Sequence, residues 1–183
     1  MKRIINYFRR IYRLNTDFSK HEVLVWKSLK KIHFENEWYS GVYENEKKIE
    51  TVFCMADDKP KRFLYAITYY CFYCTVKVLD NYPIELTTEL FILAAHFNNL
   101  LNNGTVKVNT EDLFVEYLVK RDVLIPLLYP EEIHYQIVRH HYTSNDIYWA
   151  FQKLVDENEA PAIIIADLLR KKEDEKQAKK IEH

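Results

Sequence analysis

Eighteen residues from Arg62 to Leu79 carry strand-forming side chains with neither glycine nor proline among them. Few stretches constrain a fold more. A strand of that length is rare, so a bulge or a tight hairpin is expected near Tyr70 to Tyr73. Alternation sorts the stretch into two rows. Leu64, Ala66, Tyr70, Phe72, Cys74, Val76 and Val78 form one, and Phe63, Tyr65, Ile67, Tyr69, Cys71 and Tyr73 form the other; a bulge would exchange them. Both rows are apolar or aromatic, so each face needs cover. One should meet a helix. The tyrosine-rich one needs the chain's own terminal helices, a second copy or a partner.

The next helix is expected from about Leu86 to Asn103. Leu86, Leu90, Leu93, Phe97, Leu100 and Leu101 recur at steps of three and four, while Thr88, Glu89, His96, Asn99 and Asn103 fall largely opposite. Pro83 precedes it, Thr87 can accept a bond from a free amide, and Gly104 can take the left-handed turn after it. Val106 and Val108, a polar Asn109 to Asp112 turn and alternation from Leu113 to Lys120 then predict a hairpin.

Upstream, Trp38 to Tyr43 and Ile49 to Met55 read as strands around a Glu44 to Lys48 turn, and Ser19 with Glu22 reads as the capping box of a helix bearing Val25, Trp26, Leu29 and Ile32. Downstream, Pro126 and Pro130 end the sheet. A long helix, or two nearly collinear ones, carries Ile133, Ile137, Tyr148, Phe151, Leu154 and Val155 to about Asn158, and Ala160 with Pro161 starts a last helix through Leu169. Past Arg170 the charged tail reads as frayed helix or disorder. The fold class is therefore α+β: an antiparallel sheet of about five strands with helices packed on it. The order is helix, three strands, helix, two-strand hairpin and long helix. Residues 17–158 form a single domain between a basic amphipathic segment, 1–16, and a C-terminal helix and charged tail, 159–183.

Residues Met1 to Leu14 set Lys2, Arg3, Arg9, Arg10 and Arg13 against Ile4, Ile5, Phe8, Ile11 and Tyr12. Such a segment covers the protein's own core or lies on an anionic membrane or acidic partner. Across the whole chain 26 basic and 27 acidic residues nearly cancel, which argues against nucleic acid as a partner. Two glycines rule out a glycine-rich phosphate loop or dinucleotide fingerprint. Cys54, Cys71 and Cys74 sit among apolar neighbours, as buried reduced thiols of a cytoplasmic protein do. No apolar run approaches the ~20 residues of a membrane span, and no secretory signal is expected at the N-terminus.

Little points to chemistry. Cys71 and Cys74 have CxxC spacing, but a strand sends them to opposite faces. His134 and His141 are two helical turns apart, about 10 Å, too far to share a metal. The acids Asp57, Asp58, Glu111, Asp112, Glu131 and Glu132 stand at turns and helix starts, where the backbone already accounts for them. No catalytic, cofactor or metal residue is assigned. The candidate protein-binding or dimer surface is Tyr65, Tyr69, Tyr73 and Ile92, the last lying on the polar side of the central helix.

The run Tyr73 to Leu79 through Pro83 into the helix, Leu93 to Leu101 with Asn98 near its end, the Val106 to Val119 hairpin and the Pro130 to Leu154 helix together resemble the YbjN family. The family's members are described as putative bacterial sensory transduction regulators, with a fold like that of type III secretion chaperones. The likeness covers roughly Ile49 to Val155 and rests on alternation more than on invariant residues. It implies a small bacterial protein that binds other proteins and forms a dimer, and it carries over no catalytic residue. The expected function is thus a non-enzymatic interaction module, regulator or chaperone-like adaptor without a cofactor. The alternatives are a membrane-peripheral protein docking through residues 1–14, and an enzyme or metal-binding protein whose site is unrecognised.

Overall fold

The computed structural model describes the backbone of residues 2–181 and the side chains of all of these except 2–6, 18, 19, 56 and 179–181. The expectations for Lys2, Arg3, Ile4 and Ile5, and for Ser19 in a capping box, concern side chains outside the described residues. The elements are α1 (Lys2–Leu14), α2 (Phe18–Glu35), β1 (Gly41–Tyr43), β2 (Lys48–Cys54), β3 (Pro60–Thr68), β4 (Cys71–Asp80), α3 (Thr87–Leu100), β5 (Thr105–Asn109), β6 (Phe114–Asp122), α4 (Leu124–Leu128), α5 (Glu131–Glu157) and α6 (Pro161–Ile181). The fold is α+β, with an open antiparallel sheet of order β1-β2-β3-β4-β6-β5 and helices packed on it.

Six strands stand where about five were expected, because the Arg62 to Leu79 stretch is two strands. The turn is Tyr69 and Tyr70 alone, both at positive φ. A two-residue turn reverses the parity of the strand after it. Burial therefore falls on Phe63, Tyr65 and Ile67 in β3 but on Phe72, Cys74, Val76 and Val78 in β4. This corrects Tyr65: it is 0% exposed and belongs to the core, not to a surface shared with Tyr73.

Contacts between Cα atoms divide the chain into two compact units. The first comprises Met1–Phe53, Arg62–Thr75 and Val119–His141. Val25, Trp26 and Leu29 of α2, Ile49, Phe63, Tyr65, Ile67, Phe72, Leu127, Ile133 and Ile137 are among its buried side chains. Glu22, expected to cap α2, has other work. Asp17 is the residue before the helix, and the Glu22 carboxylate accepts from Lys47 Nζ at 2.7 Å and from the Tyr70 amide at 2.9 Å. Of the predicted Trp38 strand, Gly41–Tyr43 forms β1, in the register Val42↔Ile49 with β2, and the Ser40 amide before it donates to the Glu50 carbonyl at 2.7 Å.

The second unit comprises Cys54–Lys61, Val76–Leu118 and Tyr142–His183. Leu90, Leu93, Ala94 and Phe97 form the buried stripe of α3, and Phe97 stacks on Phe151 of α5 at 6.0 Å between ring centroids. Each large apolar side chain buried in this way contributes about 1.5–3 kcal/mol. Helix α3 begins after a 3-10 turn, Ile84–Leu86, so Leu86 and not Thr87 precedes it, and the Thr87 hydroxyl donates to the Ile84 carbonyl at 2.6 Å. Gly104 takes φ +95°, and a Cβ there would lie 2.7 Å from the Tyr117 ring. The β5–β6 hairpin pairs Val106 with Tyr117, and Asn109 Oδ1 closes its turn by accepting the amides of Glu111 and Asp112.

Helix α5 is continuous. The tail beyond Arg170 is helical to Ile181. Lys172 pairs with Asp146 of α5 at 2.6 Å and Lys171 lies 5.5 Å from the Trp149 ring centroid, which gives the charged helix partners on α5.

Candidate functional site

A two-residue hairpin turn with positive φ at both central positions ordinarily uses Asn-Gly or Gly-Gly, because a Cβ is strained there. Tyr69 (φ +48°) and Tyr70 (φ +56°) occupy both positions here. The surroundings hold the turn in place from two sides. The Tyr70 amide donates to Glu22 of α2, and the Val123 amide donates to the Tyr70 carbonyl at 2.9 Å. Partial burial disfavours the Glu22 charge, but its bonds from Lys47 and the Tyr70 amide outweigh that and hold the carboxyl below its usual range. The result is a rigidly backed tip from which Tyr69 projects at 85% exposure.

Beside the tip runs the sheet's second row. In the first unit Val52 and Arg62 are exposed and Leu64, Ala66, Cys71, Tyr73 and Thr75 are half-buried, so no residue of this row is buried. Helix α1, in the same unit, therefore does not bury it. Lys120 lies 5.6 Å from the Tyr73 ring centroid, and its bond to that tyrosine is the main reason its pKa is raised. Of the four residues expected at a binding surface, Tyr69 and Tyr73 reach solvent in this unit and Tyr65 does not; Ile92, 46% exposed, lies on α3 of the second unit. Tyr70 falls within the region where the turn was expected, whereas the part Glu22 plays in holding it was not foreseen, because Glu22 has a ready explanation as a cap.

Histidines cluster under the opposite face of the first unit, against aromatic rings. His134 stacks on Trp38 at 5.2 Å, His141 meets Phe53 at 5.1 Å, and His140 meets Phe63 at 5.6 Å. His33 is fully buried 5.0 Å from the Tyr65 ring, its Nδ1 3.0 Å from the Leu29 carbonyl oxygen. Burial pushes its pKa from 6.5 down to about 4, so it is neutral at ordinary pH. Among the described residues neither His33 Nε2 nor the Tyr65 hydroxyl has a hydrogen-bond partner. Burial likewise raises the Tyr65 and Cys74 pKa values. Among the described residues no group of three or more His, Cys, Asp or Glu is placed to hold a metal ion.

Cys74 is buried and Cys71 half-buried, as a strand spacing of three requires, but Cys54 is exposed, which corrects its expected burial. In the second unit Lys153 of α5 gathers Glu159 at 2.6 Å and Asp167 of α6 at 2.8 Å, and those two bonds raise its pKa. This network fastens α6 to α5. An open cleft of about 350 Å³ beside it is lined by Asp57, Trp149, Gln152, Lys153, Asp156 and Glu157. Among the described residues no helix is long and apolar enough to cross a membrane.

Compared with family models, curated proteins and solved structures, the chain matches none of them.

Proposed function

We propose that this chain is a non-enzymatic protein-interaction module, a regulator or chaperone-like adaptor of the kind the YbjN resemblance implies, and that it acts in a bacterial cytoplasm. It holds a protein partner at the Tyr69–Tyr70 tip and along the half-buried row Leu64, Ala66 and Tyr73. The observation that carries this reading is the turn itself, with two tyrosines at positive φ where asparagine and glycine would sit without strain.

Strain kept at an exposed position is explained when the side chain it presents has a use. Tyrosine supplies a large, stiff contact surface with a polar end, the type of side chain that dominates binding energy at protein interfaces. The flanking row adds apolar area at the edge of which Lys120 can meet an acidic partner. A second copy of the chain is the other occupant this surface could take.

A photo-crosslinking amino acid placed at Tyr69, with Lys31 on the exposed side of α2 as the control position, tests the reading in the native cell. The expected result is an adduct with one protein from position 69 and none from position 31, reproduced with the purified partner. An adduct of the chain with itself would assign the surface to a homodimer. Equal adducts from both positions, or none from 69, would overturn the proposal.

A further inference from the structure

Helix α1 is anchored by its charged side. The Arg13 guanidinium donates to the Leu127 carbonyl at 2.7 Å, an acceptor at the end of α4 that no longer has a helical partner, and the Arg10 guanidinium lies 4.2 Å from the Tyr129 ring centroid. At 100° per residue, Arg9, Arg10 and Arg13 occupy one arc and Tyr7, Phe8, Ile11 and Tyr12 the opposite one. With the arginine arc turned to α4, the apolar arc faces solvent. Tyr7, Phe8, Ile11, Tyr12 and Leu14 are all exposed, Phe8 at 63% and Tyr12 at 70%. A terminal helix that covers its own core would be turned the other way.

The charge beside this face limits what can cover it. No acidic residue precedes Asp17, while Lys2, Arg3, Arg9, Arg10 and Arg13 do. Two copies meeting through α1 would bring two such sets of cations together with no counter-charge from that segment. An anionic bilayer meets both demands at once, since its headgroups carry the counter-charge and its interface receives tyrosine and phenylalanine rings. On the helix flank Arg9, Arg10 and Arg13 line a cleft of about 160 Å³ with Leu128, Pro130 and Glu131, and the exposed Arg9 lies about 60° around the helix from Tyr12, at the border of the apolar arc. Burial, then Arg9, lowers the Arg13 pKa, with Glu131 acting against them.

We propose that α1 docks this protein on an anionic phospholipid surface, with Tyr7, Phe8, Ile11 and Tyr12 entering the interface, Arg9 at the edge of that arc meeting lipid phosphates, and the positive charge of the segment as a whole drawing it to the anionic headgroups. The attachment is peripheral and reversible. It concerns a face separate from the tyrosine tip and stands or falls independently of it.

Co-sedimentation of the full chain with vesicles tests this, using phosphatidylcholine alone and an equal mixture of phosphatidylcholine and phosphatidylglycerol. The wild type should pellet with the mixed vesicles at low salt, and less with rising salt or with phosphatidylcholine alone. The double variant Phe8→Asp, Tyr12→Asp, at exposed positions that leave the core untouched, should bind at least about tenfold more weakly, with an unchanged thermal melt. Arg9→Glu, also exposed, should weaken binding by charge alone. Three results would each overturn the proposal. The wild type could fail to pellet with the mixed vesicles, the double variant could pellet as well as the wild type, or an α1-dependent dimer could form that binds no vesicles.

Discussion

Acidification should destabilise the first unit through one side chain, His33. Its imidazole is completely buried, and burial lowers its pKa from 6.5 to about 4. In the unfolded chain it takes up a proton near the ordinary value, whereas in the folded chain it stays neutral until the pH is far lower. Between those two points the unfolded state binds more protons, so stability falls as the pH falls. At about 1.4 kcal/mol per pH unit the window of about 2.5 units is worth about 3 kcal/mol, of which about 2 kcal/mol appears between about pH 7 and about pH 5. His33→Leu removes the titrating group and leaves the other histidines in place, so their contributions cancel in the difference between the two proteins. Urea unfolding followed by tryptophan fluorescence, run on both across that range, gives the difference directly. The wild type's unfolding free energy relative to the variant's should drop by about 2 kcal/mol on going to the lower pH. A difference that stays constant, or that rises on acidification, would refute the idea that a neutral imidazole is confined in this core.

Two further substitutions test the geometry elsewhere. Tyr69→Asn should raise stability by roughly 0.5–1 kcal/mol, since asparagine tolerates positive φ and a side chain 85% exposed gives up little packing; chemical denaturation measures it, and a loss would show that the turn is not strained. Asn98→Ala should cost about 1–3 kcal/mol, because its amide donates to the Val106 carbonyl at 3.1 Å and accepts the Val106 amide at 2.7 Å, joining α3 to β5 as a neighbouring strand would. Hydrogen exchange at the Val106 amide should speed up in step, and unchanged protection there would contradict this role.

The parts of the fold that a reader of the sequence can place are those where side-chain chemistry and backbone demand coincide. Leu90, Leu93 and Phe97 mark α3, Gly104 marks its exit, and Asn109 marks the turn of the β5–β6 hairpin. The β3–β4 hairpin is different. Its turn carries no asparagine, glycine or aspartate, so only the length of the stretch hints at a break, and the position of that break decides the facing of every residue around it. Moving it from the expected Tyr70–Tyr73 region to Tyr69 and Tyr70 places Tyr65 in the core beside His33 and leaves Tyr73 on the solvent side. Which two residues form the tip was hidden for the same reason, since a strained turn is one whose residues contradict it. For α1, periodicity defines two arcs but not which one turns inward, and that choice lies with distant partners, the Leu127 carbonyl and the Tyr129 ring. Cys54 shows the limit of local composition: its neighbours are apolar, yet it ends β2 at an exposed position.

Calorimetric titration of the purified partner found by crosslinking, against wild type and Tyr69→Asn, tests most directly whether the tyrosine turn exists for docking. A binding centre of the kind proposed predicts a loss of affinity of about thirtyfold or more, corresponding to about 2 kcal/mol, in a variant no less stable than its parent. Equal affinity for the two proteins would contradict it.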